Sequence, residues 1–144
     1  MNPLADALRK ALGDTFNFYL KAQYYHWNVE GIYFHMLHEL FGKIYEDAQG
    51  ATDTIAELIR TLNVYSPGTL TRFKELTSIE ESDSIPDARG MLSNLRREND
   101  KLLASLITAY KEAEDNGEIG ISNYLQDRVQ AHEKHAWMLR AITK

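Results

Sequence analysis

Cysteine is absent from the 144-residue chain, which excludes disulfides and thiolate metal sites. Any bound metal must therefore be held by His, Asp and Glu side chains, a ligand set that suits iron, manganese or zinc. No apolar run approaches the ~20 residues that a membrane span needs, and the N-terminus lacks the basic-then-apolar pattern of a signal peptide. We therefore expect a soluble, cytoplasmic protein that has no membrane partner.

An excess of positive charge is also lacking, because 21 acidic residues stand against 16 basic ones and give a formal net charge of −5. This balance disfavours long-range attraction to nucleic acid. The apolar fraction of 44% is ordinary for a globular protein. The length suffices for one sizeable core but not for two, so we predict a single domain over residues 1–144.

Proline is scarce, with three in the chain, and the apolar spacing predicts four long helices. The first is expected to begin at the Asn2-Pro3 cap and to end near Val29, since Gly31 marks a break. The other three are expected over about 34–62, 87–116 and 119–142.

The segment 63–86 carries two turn signals, Ser66-Pro67-Gly68 and Ser82-Asp83-Ser84, with a short helical stretch between them. A ferritin-like bundle needs a long crossover here, because its second and third helices point the same way. The predicted fold is therefore all-α, a ferritin-like four-helix bundle with a short extra helix in the crossover between the second and third helices.

Four side chains are candidate metal ligands: His26, His38, Asp53 and Glu57. Asp53 and Glu57 are four residues apart, so both carboxylates lie on one face of the second helix. Each residue also has an ordinary explanation, because carboxylate pairs are common on solvated helices and a histidine at a helix end is more often structural. Only their joint spacing points to a metal site.

The spacing of these residues favours a site shared by two subunits. Within one chain His38 and Asp53 are about 22 Å apart along the helix, too far to share an ion. If two copies of this helix pack antiparallel about a two-fold axis, positions whose numbers sum to 95 face each other. His38 of one copy then meets Glu57 of the other, position 42 meets Asp53, and two identical sites result. The small residues expected to permit close approach near the axis are Ala48, Gly50 and Ala51.

A metal site inside one bundle is the alternative, and proteins of that kind carry two Glu-x-x-His motifs. No Glu-x-x-His occurs in this sequence. The nearest approximation is His132-Glu133-Lys134-His135, which has no counterpart elsewhere in the chain. We therefore interpret these two histidines as surface or interface residues and favour the two-subunit site.

The candidate ligands lie within a recognisable pattern. The stretch from His26 through Trp27, Asn28, Val29 and Glu30 to Gly31, followed by Phe34, by Leu37-His38-Glu39 and by Asp53-Thr54-Ile55-Ala56-Glu57, closely resembles the signature of the Dps family (DNA-binding protein from starved cells, or mini-ferritin). Residues 70–79 resemble that family's short crossover helix, and Trp137-Met138-Leu139 also fits. The resemblance covers nearly the whole chain.

This resemblance implies a hollow homododecamer of tetrahedral symmetry, with metal sites at its two-fold subunit interfaces. It implies an iron-storing ferroxidase that oxidises Fe(II) with hydrogen peroxide, or less readily with dioxygen, and so limits oxidative damage. His26 and His38 would come from one subunit and Asp53 and Glu57 from its neighbour, with Glu57 bridging two irons. Trp27 is either a sacrificial donor of electrons to one-electron oxidants or a simple packing aromatic.

One position departs from the family pattern, which usually places an aspartate four residues after the second histidine. Here that position is Gly42, and glycine in a helix interior costs about 1 kcal/mol relative to alanine. We expect one iron to bind firmly and the second weakly, with attenuated oxidation. An iron-sequestering or structural cage with impaired ferroxidase activity therefore remains the alternative.

Two further classes of function are weighed against this interpretation. Many Dps proteins bind DNA through lysine-rich tails, whereas here Met1-Asn2 leads directly into the first helix and only Thr143-Lys144 follows the last. We therefore expect DNA binding to be weak or absent. A metal-free bundle that acts as a structural module explains the helices but not the paired spacing of the candidate ligands.

Overall fold

The computed structural model describes residues 2–144, in which five helices and no strands are found. The predicted all-α architecture is confirmed, and the helix bounds agree with those expected from the sequence to within about one residue. No helix in this part of the chain combines the length and apolarity needed to cross a membrane. The helices are α1 (Pro3–Asn28), α2 (Phe34–Thr61), α3 (Leu70–Leu76), α4 (Ala88–Asp115) and α5 (Ile119–Ile142).

Short polar side chains fix where three of the helices begin. The Asn2 side chain accepts a hydrogen bond from the Ala5 N–H at 3.1 Å, and Pro3 occupies the first turn of α1. The side chains of Thr69 and Asp87 cap α3 and α4 in the same way. Such caps satisfy backbone donors that the first turn of a helix leaves unpaired.

The long helices bury one continuous core, in which α1 packs against α2 and α4, and α5 packs against α4. The predicted apolar stripes are largely buried, but they rotate slightly along each helix because 3.6 residues make one turn. Phe18 is thus fully buried next to a partly buried Tyr19, and Ile59 is fully buried next to a partly exposed Leu58. In α4 the buried stripe continues at Ala109, and Tyr110 is partly buried.

The crossover is held on the bundle by Asp14, a fully buried carboxylate in α1. It accepts hydrogen bonds from the Thr77 hydroxyl at 2.8 Å, the Ser78 backbone N–H at 2.7 Å and the Ser105 hydroxyl of α4 at 2.5 Å. A buried carboxylate without such donors would be costly. Asp14 therefore ties the residues that follow α3 to both α1 and α4.

Candidate metal centre

His26 and His38 face each other across the turn that joins α1 to α2. The Nδ1 atom of His26 lies 2.6 Å from the carbonyl oxygen of His38, and the Nδ1 atom of His38 lies 2.7 Å from the carbonyl oxygen of His26. The two rings stack with centroids 3.8 Å apart and planes 14° from parallel. Gly31, with a φ of 113°, supplies the backbone conformation of this turn. We call this pair the histidine clasp.

The histidine clasp determines which ring nitrogens are open. A carbonyl oxygen can only accept, so each Nδ1 carries the hydrogen and donates it. In the neutral imidazole this leaves the Nε2 lone pair of both rings exposed, and neither Nε2 has a hydrogen-bond partner among residues 2–144. Metal-binding histidines commonly donate their other N–H to a carbonyl or carboxylate in this way. Both rings therefore have the tautomer that a metal-binding histidine takes.

The His26 ring packs against α2 at Gly42. A Cβ atom at position 42 would lie 3.1 Å from both Cε1 and Nδ1 of His26. Any side chain there would require the ring to shift by a few tenths of an ångström. The glycine in the interior of α2 thus has a packing reason, which the sequence did not reveal.

The two candidate carboxylates, Asp53 and Glu57, lie on the exposed face of α2. Neither forms an ion pair or a side-chain hydrogen bond within the described part of the chain. Within one chain the structure does not bring them to the histidine clasp. Over residues 2–144, no group of three or more His, Asp or Glu side chains is arranged to hold a metal ion.

The small residues near the centre of α2 divide between its two faces. Ala48 and Ala51 are buried in their own bundle beside Ile44 and Ile55, so the expectation that they allow close approach of a second copy is wrong. Gly50, by contrast, is exposed, and a Cβ added there would meet no atom within 4 Å. Only Gly50 of the three is available to a second subunit.

Trp27 follows His26 but points away from the core. Its side chain is 63% exposed and lines a surface groove of about 320 Å³ with Leu20, Tyr24 and Ile79. The packing explanation for Trp27 therefore does not hold within its own bundle. Its ring is accessible to solvent and adjoins the candidate ligand His26.

A second polar cluster lies between α2 and α5, and it corrects the interpretation of His132 and His135. His132 is fully buried and His135 is largely buried, so they are not surface residues. Asp47 of α2 accepts from both terminal nitrogens of Arg128, at 3.0 and 2.8 Å, and from Nε2 of His135 at 2.8 Å. The sequence does contain a signal for the burial of His132. This residue lies seven positions from both Leu125 and Leu139, so it falls on the apolar stripe of α5.

The charges in this cluster are fixed by their partners. Burial acts to raise the pKa of Asp47, but the hydrogen bonds and charges of His135 and Arg128 outweigh it and hold this pKa well below its usual range. Burial, together with the neighbouring Arg128 charge, lowers the pKa of His132 well below its ordinary value. His132 is therefore neutral, with Nδ1 bonded to the Asn99 side-chain oxygen at 2.8 Å.

The comparisons with known proteins agree with this architecture. Residues 5–144 match the family model of the ferritin-like domain. The chain is 30% identical over 137 residues to DNA protection during starvation protein 2 of Bacillus anthracis, covering 95% of this chain and 94% of that protein. The Dps crystal structure from Vibrio cholerae, described as a member of a broad superfamily of ferritin-like diiron-carboxylate proteins, superposes with a TM-score of 0.93 at 32% identity. The superposed region covers 98% of this chain and 89% of the Vibrio cholerae chain.

A second Dps structure, from Bacillus brevis, superposes with a TM-score of 0.93 at 30% identity. The superposed region covers 98% of this chain and 95% of the Bacillus brevis chain.

The fold and the family match define a ferritin-like protein. The relatives narrow that class, and the chain belongs to the Dps, or mini-ferritin, family. This family has a general role in iron storage and iron oxidation, and its members form oligomeric cages.

The buried neutral His132 predicts a pH dependence of stability. Because its pKa is lowered by folding, the unfolded chain takes up a proton below pH ~6.5 that the folded chain does not bind. The free energy of unfolding should therefore fall with decreasing pH, with a slope that approaches about 1.4 kcal/mol per pH unit as His132 of the unfolded chain becomes fully protonated. Urea unfolding of the native protein and of a His132→Gln variant between pH 5 and 6.5 measures the difference.

In this window both states keep Asp47 ionised, so His132 alone accounts for the expected divergence of the two curves. Parallel curves for native protein and variant would contradict a buried neutral His132.

Proposed function

We propose that this protein is a ferroxidase and iron-storage cage that binds and oxidises Fe(II) at sites formed between two subunits, with hydrogen peroxide as its preferred oxidant. One observation carries the proposal: two imidazole nitrogens at one end of α2, and two carboxylates further along the same helix, have no side-chain partner among residues 2–144. Neither half is a metal site alone. A second copy supplies the missing half.

Antiparallel pairing of α2 places the two halves together. His38 of one subunit then faces Glu57 of the second, and position 42 faces Asp53. Because the His26 ring lies against Gly42, Asp53 of the second subunit comes to His26. Each imidazole is thus matched with one carboxylate, and two-fold symmetry repeats the arrangement. This pairing supports the two-fold interfaces expected of a dodecamer.

The ligand types suit the chemistry of iron oxidation. Imidazole retains Fe(II), and hard carboxylate oxygens favour Fe(III) as it forms. Two Fe(II) ions each give one electron to one hydrogen peroxide molecule, which takes two protons and becomes two water molecules. The role of the chain is to hold both ions beside each other, with the imidazole N–H groups of the histidine clasp fixed by backbone carbonyls.

Gly42 favours a second candidate function, an iron-sequestering cage with impaired oxidation. No carboxylate can extend from this position, and the space beside its Cα is taken by the His26 ring. The second iron therefore has one ligand fewer than the family pattern provides. Where a single iron reacts, peroxide receives only one electron from it, and we propose that Trp27, which follows His26 in the sequence and is exposed, gives the other.

The charge of the chain bears on its other partners. At a formal net charge of −5, the protein has no general electrostatic attraction to DNA, so we propose that any DNA protection comes from removal of iron and peroxide. The cytoplasmic location expected from the sequence stays a prediction.

Removal of one ligand from either half of the proposed site should slow iron oxidation. We expect Glu57→Gln and His38→Ala each to lower the initial rate of Fe(II) oxidation by peroxide by about 10- to 100-fold, the usual cost of disturbing a metal site. Stopped-flow absorbance of the ferric product gives the rate. Glu133→Gln, an exposed acid on α5, serves as the matched control and should keep the native rate.

Size-exclusion chromatography separates this proposal from a metal-free structural module. A cage elutes near twelve times the chain mass of 16.5 kDa, and the variants should keep the native elution volume. Ligand variants that assemble normally and oxidise Fe(II) at the native rate would overturn the proposed site.

The number of irons distinguishes a complete site from the attenuated one. We expect anomalous diffraction from crystals soaked in Fe(II) to show one fully occupied iron per site and a second of low occupancy, because Gly42 provides no ligand. Dioxygen and peroxide should then give different rates, with peroxide faster. Two fully occupied irons in every site would contradict the effect assigned to Gly42.

A further inference from the structure

The cluster between α2 and α5 has the geometry of a cation site with an arginine in place of the ion. The Nη2 atom of Arg128 lies 2.8 Å from Oδ2 of Asp47 and 3.0 Å from Nε2 of His132. Its Nη1 atom lies 3.0 Å from Oδ1 of the same carboxylate. His135 donates to Oδ2 of Asp47 from the other side at 2.8 Å. One positive group therefore contacts a carboxylate and an imidazole inside the bundle.

The orientation of His132 is the one that a metal ligand takes. Asn99 donates its amide N–H to the His132 carbonyl at 2.9 Å, which turns its side-chain oxygen toward Nδ1 of His132. Nδ1 must therefore carry the hydrogen, and Nε2 presents a lone pair to Arg128, which has only donors. A buried histidine whose second nitrogen is held in this way is typical of zinc and iron sites.

A purely structural ion pair explains this arrangement less well. Replacement of buried ion pairs by apolar side chains is often neutral or stabilising, so the pair alone is no reason to keep a charge in the core. Nε of Arg128 is, moreover, a buried side-chain nitrogen that has no hydrogen-bond partner within residues 2–144. The guanidinium meets its acceptors with its two outer nitrogens and leaves the third unsatisfied, at a cost in free energy.

We propose that Arg128 is a resident cation that occupies a latent metal position between Asp47 and His132 and so keeps divalent metal out of the bundle interior. Oδ2 of Asp47 and Nε2 of His132, the atoms that would ligate a metal, already accept hydrogen bonds from Arg128. Within residues 2–144, no group of three or more His, Asp or Glu side chains is arranged to hold a metal ion. Iron is thereby left to the subunit interface. The inference goes beyond the proposed function and does not require the protein to oxidise iron.

Replacement of Arg128 by an uncharged side chain of similar length should open the latent position. We expect the assembled Arg128→Met protein to bind one Co(II) ion per chain more than the native protein, counted by calorimetry. The added ion should show the visible absorption of Co(II) held by nitrogen and oxygen ligands. Arg128→Lys keeps a positive charge and should bind the native number of ions, so it is the matched control.

Two further variants decide whether the added ion lies in the core. In Arg128→Met/Asp47→Asn the carboxylate charge is lost with little change of shape, and the extra ion should be lost with it. A folded Arg128→Met protein with the native ion count would overturn the proposal. An extra ion that survives Asp47→Asn, or that also appears in Arg128→Lys, would overturn it as well.

The stability of the variant provides a second measurement. If Arg128→Met unfolds without metal, Co(II) should restore its helical circular dichroism, because the ion replaces the missing positive charge. Failure of Co(II) to restore the fold would count against the latent site. Since each result is a difference from the native protein, it holds whether or not the interface binds iron.

Discussion

Two hydrogen bonds between imidazole N–H groups and backbone carbonyls, one in each direction across the α1–α2 turn, determine what this chain presents to metal. They join His26 to His38, fix both tautomers and leave both Nε2 atoms without a hydrogen-bond partner among residues 2–144. The arrangement depends on Gly31, whose backbone conformation turns the chain, and on Gly42, which leaves room for the His26 ring. The contact between the His26 ring and Gly42 positions one half of the proposed site. It also occupies the space into which a ligand side chain at position 42 would extend.

The distribution of charge in the bundle complements this half-site. The carboxylates that could complete it, Asp53 and Glu57, lie exposed on α2, whereas Asp47 on the same helix is neutralised by Arg128 and His135. Asp47 thus already has protein cations as partners, whereas Asp53 and Glu57 point outward and are available to ions and to a second subunit. The location of the available carboxylates agrees with a protein that handles metal at its interfaces.

Much of the fold was predictable because it follows from local chemistry and periodicity. The cap at Asn2, the turn signals Ser66-Pro67-Gly68 and Ser82-Asp83-Ser84, and the 3.6-residue apolar stripes act within a few residues of one another, and all five helices were predicted from them. Membership of the ferritin-like class was accessible for the same reason.

The features that escaped prediction depend on contacts distant in sequence. The packing reason for Gly42 is a ring sixteen residues earlier in the chain, and the inward position of His132 is explained by Asn99 and Asp47 on other helices. The inward position of His132 could have been predicted from the apolar stripe of α5, because Leu125 and Leu139 lie seven residues to either side of it. A Glu-x-x-His pattern does not report this periodicity. The ligand set His26, His38, Asp53 and Glu57 stays a prediction, since a single chain cannot bring its two halves together.

Complementation between defective subunits tests most directly whether the histidines and the carboxylates of each metal site come from different subunits. Subunits that carry His26→Ala and His38→Ala are co-assembled with subunits that carry Asp53→Asn and Glu57→Gln, and peroxide-dependent Fe(II) oxidation is measured. If each site takes histidines from one subunit and carboxylates from another, random mixing restores about a quarter of the sites, although both parent cages are inactive. No recovery in verified mixed cages would contradict a shared site.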